Sequence, residues 1–383
     1  MEQSFPTDLP GPKEIRPPAA TALAYKPHLP ETIARLRQLY DHQAGDRIFA
    51  RFRIPTRALK RFAKRYGEGF CDYPSVSERI SFWDEHLAER SALEDDSVPV
   101  AYLSEMDQGL YGGMLGGEAQ FLSDPATGWI SSMVKPLLTD WSELDRLHFD
   151  PRHFWWQRYL CQLDRYVEAA GGKFCVSHFI LIDGLNFVFE LVGATGTYLA
   201  LDERPNDVRR AIDLAFDINV RVQEEFFARV PLLAGGTASN MAGWLPGGRI
   251  VSESVDPFHM TSVDYFERWG REPVERMLSH FDGGVFHIHG NGRHLLEAVC
   301  SLSGLKAIFM GDDRPYPAAF DIRHELRTRA GDVPLIVQVE YESFRAALAE
   351  RTLPDGMLYV VAGAPDIATA NRLMDEVRAY RTH

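Results

Sequence analysis

The sequence predicts an α/β protein folded as a (β/α)₈ TIM barrel with a Pro-rich N-terminal arm. Two observations carry that expectation. From residue 98 onward, short apolar runs alternate with longer stretches of helical periodicity. Several of these runs also end in polar residues, where such a barrel carries its chemistry. A third observation narrows the choice: no Gly-rich phosphate turn follows the first run, which disfavours a doubly wound open sheet.

The elements follow in chain order. Residues 1–30 hold seven prolines, suiting an extended arm laid on a single domain that spans 31–383. A helix is expected at 31–43, with Ile33, Leu36, Leu39 and Tyr40 on one side. Thr56 caps a second helix at 57–66, which Gly67 stops. Its predicted buried side is Leu59, Phe62, Ala63 and Tyr66, leaving Arg57, Lys60, Arg61 and Lys64 solvated. The eight predicted strands are 98–106, 118–124, 173–179, 249–256, 284–289, 305–313, 333–340 and 357–363. Helical stretches between them include 207–229, 261–280 and 293–303. In the seventh strand Leu335, Val337 and Val339 share one face and should meet helices. Gln338 and Glu340 share the other and should point inward, Glu340 near the mouth.

Composition bounds the function. A hydrophobic content of 45% with 25% charged residues indicates a sizeable core. No apolar run approaches the roughly 18 residues of a membrane span, and the N-terminus lacks an apolar signal core, so a cytoplasmic location is expected. The four cysteines form no CxxC pair and read as reduced thiols. A formal charge of −13 argues against nucleic-acid partners. It leaves room for a small anion in a local basic pocket, and residues 47–65 carry eight Arg or Lys and no acid. Arg51 and Arg53 precede the second helix and are candidates to hold a substrate at the barrel mouth.

The segment "GGVFHIHGNG" (283–292) is the most informative. His287 and His289 lie on one face of a strand, beside a Gly-Asn-Gly turn, where two imidazoles can bind a metal, hold an anion or move a proton. Other strand ends supply Glu105, Asp107, His178, Asp183, Glu253, Asp256, His259, Asp312 and Asp313. Taken singly, Asp107, Asp256 and Asp313 read as loop caps, and His178 and His259 as structural histidines. Several motifs are absent. "GNGRHL" has Leu295 where a dinucleotide loop needs glycine, "HELRT" (324–328) lacks the second histidine of HExxH, and no GxSxG occurs.

"GVFHIHGNG" after "VSESVDPFHMTSVDYFERWGREPVERML", together with residues 193–226 and the ending "GMLYVVAGAPDIATANRLMDEVRAY", resembles the uroporphyrinogen decarboxylase superfamily over roughly residues 90–380. The resemblance implies a (β/α)₈ barrel and two chemistries. Its decarboxylases act on porphyrinogens without a metal, gripping carboxylates with an RQAGR-type motif, replaced here by "ARFRIPTR", and using an aspartate for which Asp107 is the candidate. Its methyltransferases use zinc, bound by His-x-Cys and a later Cys, and work with corrinoid proteins. Here His289 stands in place of the first Cys, and "VVAGAP" (360–365) offers no second.

A His, His, carboxylate set suits a catalytic zinc, one per chain. Glu340 is the expected third ligand, and Glu253 the second choice. The leading expectation is metal-assisted methyl transfer from a small substrate to a corrinoid carried by a partner protein. His287, His289, Asp107 and Glu253 would be catalytic, and Arg51, Arg53, His178, Asp183, Asn291 and Gln338 would bind substrate. The alternatives are a metal-free decarboxylase or lyase acting on a porphyrinogen-like substrate, with Arg51, Arg53 or Arg57 holding carboxylates, and a non-catalytic barrel that binds a ligand or corrinoid protein. The resemblance also implies a homodimer.

Overall fold

A computed structural model describes residues 20–382; the rest of the expected arm, residues 1–19, lies outside the described residues. The strands are β1 (Phe49–Arg53), β2 (Gly69–Cys71), β3 (Val100–Tyr102), β4 (Ala119–Asp124), β5 (Trp129–Val134), β6 (Cys175–Ser177), β7 (Thr237–Ser239), β8 (Gly243–Leu245), β9 (Val251–Ser254), β10 (Gly284–Ile288), β11 (Leu305–Met310), β12 (Leu335–Glu340) and β13 (Met357–Ala362). Six form one parallel sheet in the order β1-β13-β12-β11-β10-β9, and β3 pairs in parallel with β6. The protein is therefore a mixed α/β structure with a mostly parallel sheet, and the ladder does not close among the described residues.

Two apolar layers form on this sheet because side chains alternate along each strand. Leu335, Val337 and Val339 join the cluster that meets the outer helices, with Phe344, Leu348 and Leu373. Ile336, Phe49, Val285, Ala307, Leu358 and Val360 join a second, inner cluster. The helix Leu29–Tyr40 covers the inner cluster with Leu36, Leu39 and Tyr40, as its periodicity predicts. Toward the strands' C-terminal ends the same inward positions turn polar: Arg51 and Arg53 on β1, His287 on β10, and Gln338 and Glu340 on β12. The inner face is thus apolar at one end and chemical at the other.

Where hydrogen-bonded strands give out, other groups take their place. Leu181 N donates to Ser252 O (2.9 Å) beside β9. On the far side, β1 gives its free edge to two aspartates. Ala50 N donates to Asp96 Oδ2 (3.0 Å) and Phe52 N to Asp95 Oδ2 (2.7 Å). Asp95 also meets Lys26 Nζ (3.2 Å), and Asp96 pairs with Arg35 Nε (2.5 Å).

Two strand expectations need correction. Residues 118–124 form β4, the centre of an antiparallel sheet β2-β4-β5 outside the parallel sheet. β1 was not expected as a strand, because Arg51 and Arg53 replace the apolar residues of its inner face. The helix Arg57–Arg65 starts where Thr56 Oγ1 accepts from Leu59 N (3.1 Å). Its buried residues are Ala58 and Phe62, while Ala63 is exposed. One helix, Gly184–Glu203, reaches the length and apolarity of a membrane span, with a mean hydropathy of 1.2. It gives no clear span: Gly193 at φ 72° kinks it, and Leu185, Phe187, Val188 and Leu191 pack into the core.

The buried Asp95 carboxylate would be raised by burial alone. The charges of Lys26 and Arg90 and the bonds from Ser97 and Phe52 outweigh this and lower it. Its contribution is therefore present above the ordinary carboxylate range and is lost as pH falls through the depressed value. Asp95→Ala should destabilise the protein by about 3–5 kcal/mol in urea unfolding at pH 7, because it strands the Lys26 ammonium. The difference between variant and wild type should shrink toward acid pH.

Candidate active site

Val285 on β10 belongs to the inner cluster and Phe286 and Ile288 to the outer one, so His287 points inward. His289 follows on the same face and leads into the tight turn Gly290–Leu295. Each neighbouring strand delivers further ligating groups. β9 lies in register with His287 at Ser254 and runs into the turn Asp256–Met260, carrying Asp256 and His259. β11 ends beside Ile288 and leads to Asp313. A Cβ at position 292 would fall 2.1 Å from the His259 ring, so glycine lets this turn close over the site.

The result is a compact cluster. His287 Nε2 lies 3.1 Å from either oxygen of Asp256. His289 Nε2 lies 3.9 Å from Asp256 Oδ2, and its Nδ1 is 2.9 Å from Asp313 Oδ2. Gly290 N also donates to Asp313 Oδ2 (2.8 Å). One ligand atom each from Asp256, His287 and His289 lie within 4.8 Å of one another. His259 approaches Asp256 at 3.6 Å, and its buried Nε2 has no hydrogen-bond partner among the described residues.

Charge and burial divide these groups. Burial pushes the Asp256 carboxyl up, but His287 and the two further imidazoles hold it far below the usual range. Burial would lower His287; the charge and hydrogen bond of Asp256 prevail and raise it. His259 is lowered to about 4, mainly by burial, and is neutral at pH 7. On Asp313, the Gly290 N–H and His289 outweigh burial and lower the carboxyl.

The other sequence candidates fall elsewhere. Glu340 is exposed at the end of β12, two strands from β10, and stands outside the three-ligand group, where Asp256 takes the carboxylate place. Glu253 is wholly buried and hydrogen-bonded to Asp183, and burial raises both carboxyls. His178 is buried with Nε2 2.7 Å from Ser252 Oγ, and burial lowers it to about 4. Asn291 Nδ2 reaches the Met260 sulfur (3.6 Å) at the rim. Gln338 is half-buried on the inner face. Asp107 follows the short turn after β3 and accepts from Tyr102 Oη (3.3 Å) and Gln108 N. Arg51 and Arg53 line a separate cavity with Arg90, Trp83, Tyr102 and Trp129. Asp256, His259 and Asp313 were visible in the sequence only as isolated strand-end polar residues, and Arg90 gave no signal there.

The arrangement of strands and helices has a known counterpart. A methyltransferase from Methanosarcina mazei shares the fold. Its structure matches with a TM-score of 0.57 at 13% sequence identity, covering 91% of this chain and 98% of that one. No family model and no curated protein sequence matches the chain. At that identity the likeness speaks for architecture alone, and the chemistry rests on the site.

Burial pushes the Asp107 carboxyl up to about 7. Its folded value lies above its unfolded one, so the native state holds the proton more tightly and stability falls as pH rises from about 4 to 7. The loss should reach about 4 kcal/mol, at 1.36 kcal/mol per pH unit. Denaturant titrations across that range should show the decline in the wild type and a flatter profile in Asp107→Asn.

Proposed function

We propose that the protein is an enzyme, a metal-assisted methyltransferase of the uroporphyrinogen decarboxylase superfamily, folded as a (β/α)₈ barrel and working in the cytoplasm. One observation carries this reading: Asp256, His287 and His289 converge at the C-terminal ends of adjacent parallel strands. The shared fold of the Methanosarcina mazei methyltransferase supports it.

The donor set fits zinc, one ion per chain. Two imidazoles and one carboxylate are three protein ligands, leaving a coordination place for substrate. Asp313 bonds His289 through Nδ1, which orients the ring and leaves Nε2 free to ligate. Ligation would displace the proton that His287 holds against Asp256, so affinity should rise with pH. Zinc bound there would supply a Lewis acid for the substrate heteroatom that bears the methyl group. The chain itself contributes the closed Gly290–Leu295 turn and His259, whose buried Nε2 has no hydrogen-bond partner among the described residues and would hydrogen-bond the substrate heteroatom. We assign the methyl acceptor to a corrinoid on a separate protein, following the sequence resemblance.

A second reading has its own support. Arg51 and Arg53 suit a metal-free decarboxylase or lyase, in which they would hold carboxylates while an acid protonates the carbanion-like product. Their cavity of about 150 Å³ is small for a tetrapyrrole.

Elemental analysis decides between the two. Full-length protein without a histidine tag, dialysed against a weak chelator, should retain about one zinc per chain. The His287→Ala, His289→Ala double variant should retain none while remaining folded. Asp313→Asn should weaken zinc binding about 10- to 100-fold with little loss of stability. Wild-type protein that binds no metal even after zinc addition would overturn the methyltransferase reading.

A further inference from the structure

The cavity beside β1 is built around three cations. Arg51 and Arg53, two residues apart on one strand face, line it with Arg90, which follows the helix Val76–Ala88. The hydrogen bonds that place two of them go to backbone carbonyls: Arg51 Nη1 donates to Asn240 O (3.1 Å) and Arg90 Nη2 to Phe52 O (3.0 Å). Among the described residues, no carboxylate lies within ion-pairing distance of any of the three. Asp124 and Glu340 act on Arg53, and Asp95 on Arg51 and Arg90, only through space. Burial, and then the neighbouring charge of Arg53, push Arg51 down to about 10. His86, also on the cavity wall, is held neutral by burial and by Arg90.

Two further donors here lack partners. Trp83 Nε1 and Arg90 Nε are buried without a hydrogen bond among the described residues, and Trp83 is 5% exposed. The remaining wall mixes polar Ser97, Thr127, Ser239 and Asn240 with apolar and aromatic side chains. Tyr102 and Trp129 meet edge to face with ring centroids 5.0 Å apart, and Leu59, Val98 and Val360 complete it. The volume, about 150 Å³, is that of a cavity that accepts one benzene-sized ring.

We infer that this cavity is a binding site for a small aromatic carboxylate of the benzoate class. The guanidinium groups take the carboxylate, as planar forks matched to its two oxygens. The Trp and Tyr side chains enclose the ring. The sheet order sets β1 four strands from β10, so the cavity and the histidine cluster lie on well-separated strands of one sheet. The inference goes beyond the proposed function: the cavity is a ligand site of its own, apart from the histidine cluster. Binding itself rests on the cavity.

The test is calorimetric titration of full-length, chelator-treated protein with benzoate, with its neutral analogue benzamide and with inorganic phosphate. Benzoate should bind at least about tenfold more tightly than either competitor. Arg53→Gln, which alters the most exposed of the three arginines, should weaken benzoate about tenfold or more at unchanged thermal stability. Arg90→Lys keeps the charge but loses the fork, and should weaken benzoate without abolishing it. The inference is overturned if wild-type protein does not bind benzoate, or binds benzamide or phosphate as well. Unchanged affinity in both folded variants would overturn it equally. Because no metal or turnover is involved, benzoate binding by a protein that never takes up zinc would sustain this site while the methyltransferase reading failed.

Discussion

The edge of β1 is the constraint on which much of the architecture depends. A strand edge left without a partner exposes a row of N–H groups, and burying them unsatisfied is costly. Here Asp95 and Asp96, both 1% exposed, accept from Phe52 and Ala50 in place of a neighbouring strand. Two buried carboxylates are tolerable only with countercharge, which Lys26 and Arg35 supply. The same bonds fix the strand that carries Arg51 and Arg53. Edge satisfaction, the docking of Lys26 and the placing of the arginine cavity are therefore one set of interactions.

The polarity switch along the inner face follows from similar economy. At the strands' N-terminal ends, Val285, Ala307, Ile336 and Leu358 pack under the helix Leu29–Tyr40, with no room for unpaired polar groups. Beyond that layer the inner face opens, and polar side chains can meet ligands. The histidine cluster forms there because three successive parallel strands end at one level and each hands on to a turn. Residues far apart in sequence, Asp256 with His287 and His289 with Asp313, thereby reach hydrogen-bonding range.

This explains what the sequence revealed and what it hid. The alternation on β10 and β12 assigned His287, Gln338 and Glu340 to the inner face, since period-two patterning is local information. β1 escaped because arginine at its inner positions imitates a loop. Residues 118–124 have strand chemistry but pair antiparallel, and partner choice is not written in one strand. The third member of the ligand group escaped for a related reason. A carboxylate at the end of β12 and one just after β9 look alike in sequence, and only strand order shows that β9 borders β10 while β12 does not.

The two candidate sites are electrostatic opposites. Around the histidines, Asp256 and Asp313 hold negative charge, so a cation would relieve repulsion between carboxylates and replace the proton on His287. Around Arg51, Arg53 and Arg90, positive charge stands without an ion-pair partner among the described residues, and an anion would relieve it. Each half alone has a bland explanation, as a buried ion pair or as a basic rim. Together on one sheet they give the molecule two ligand sites of opposite charge preference. A chain of net charge −13 that concentrates three arginines around one small cavity maintains that cluster against its own average, and the Asp95–Asp96 edge is what keeps the strand bearing two of them in place.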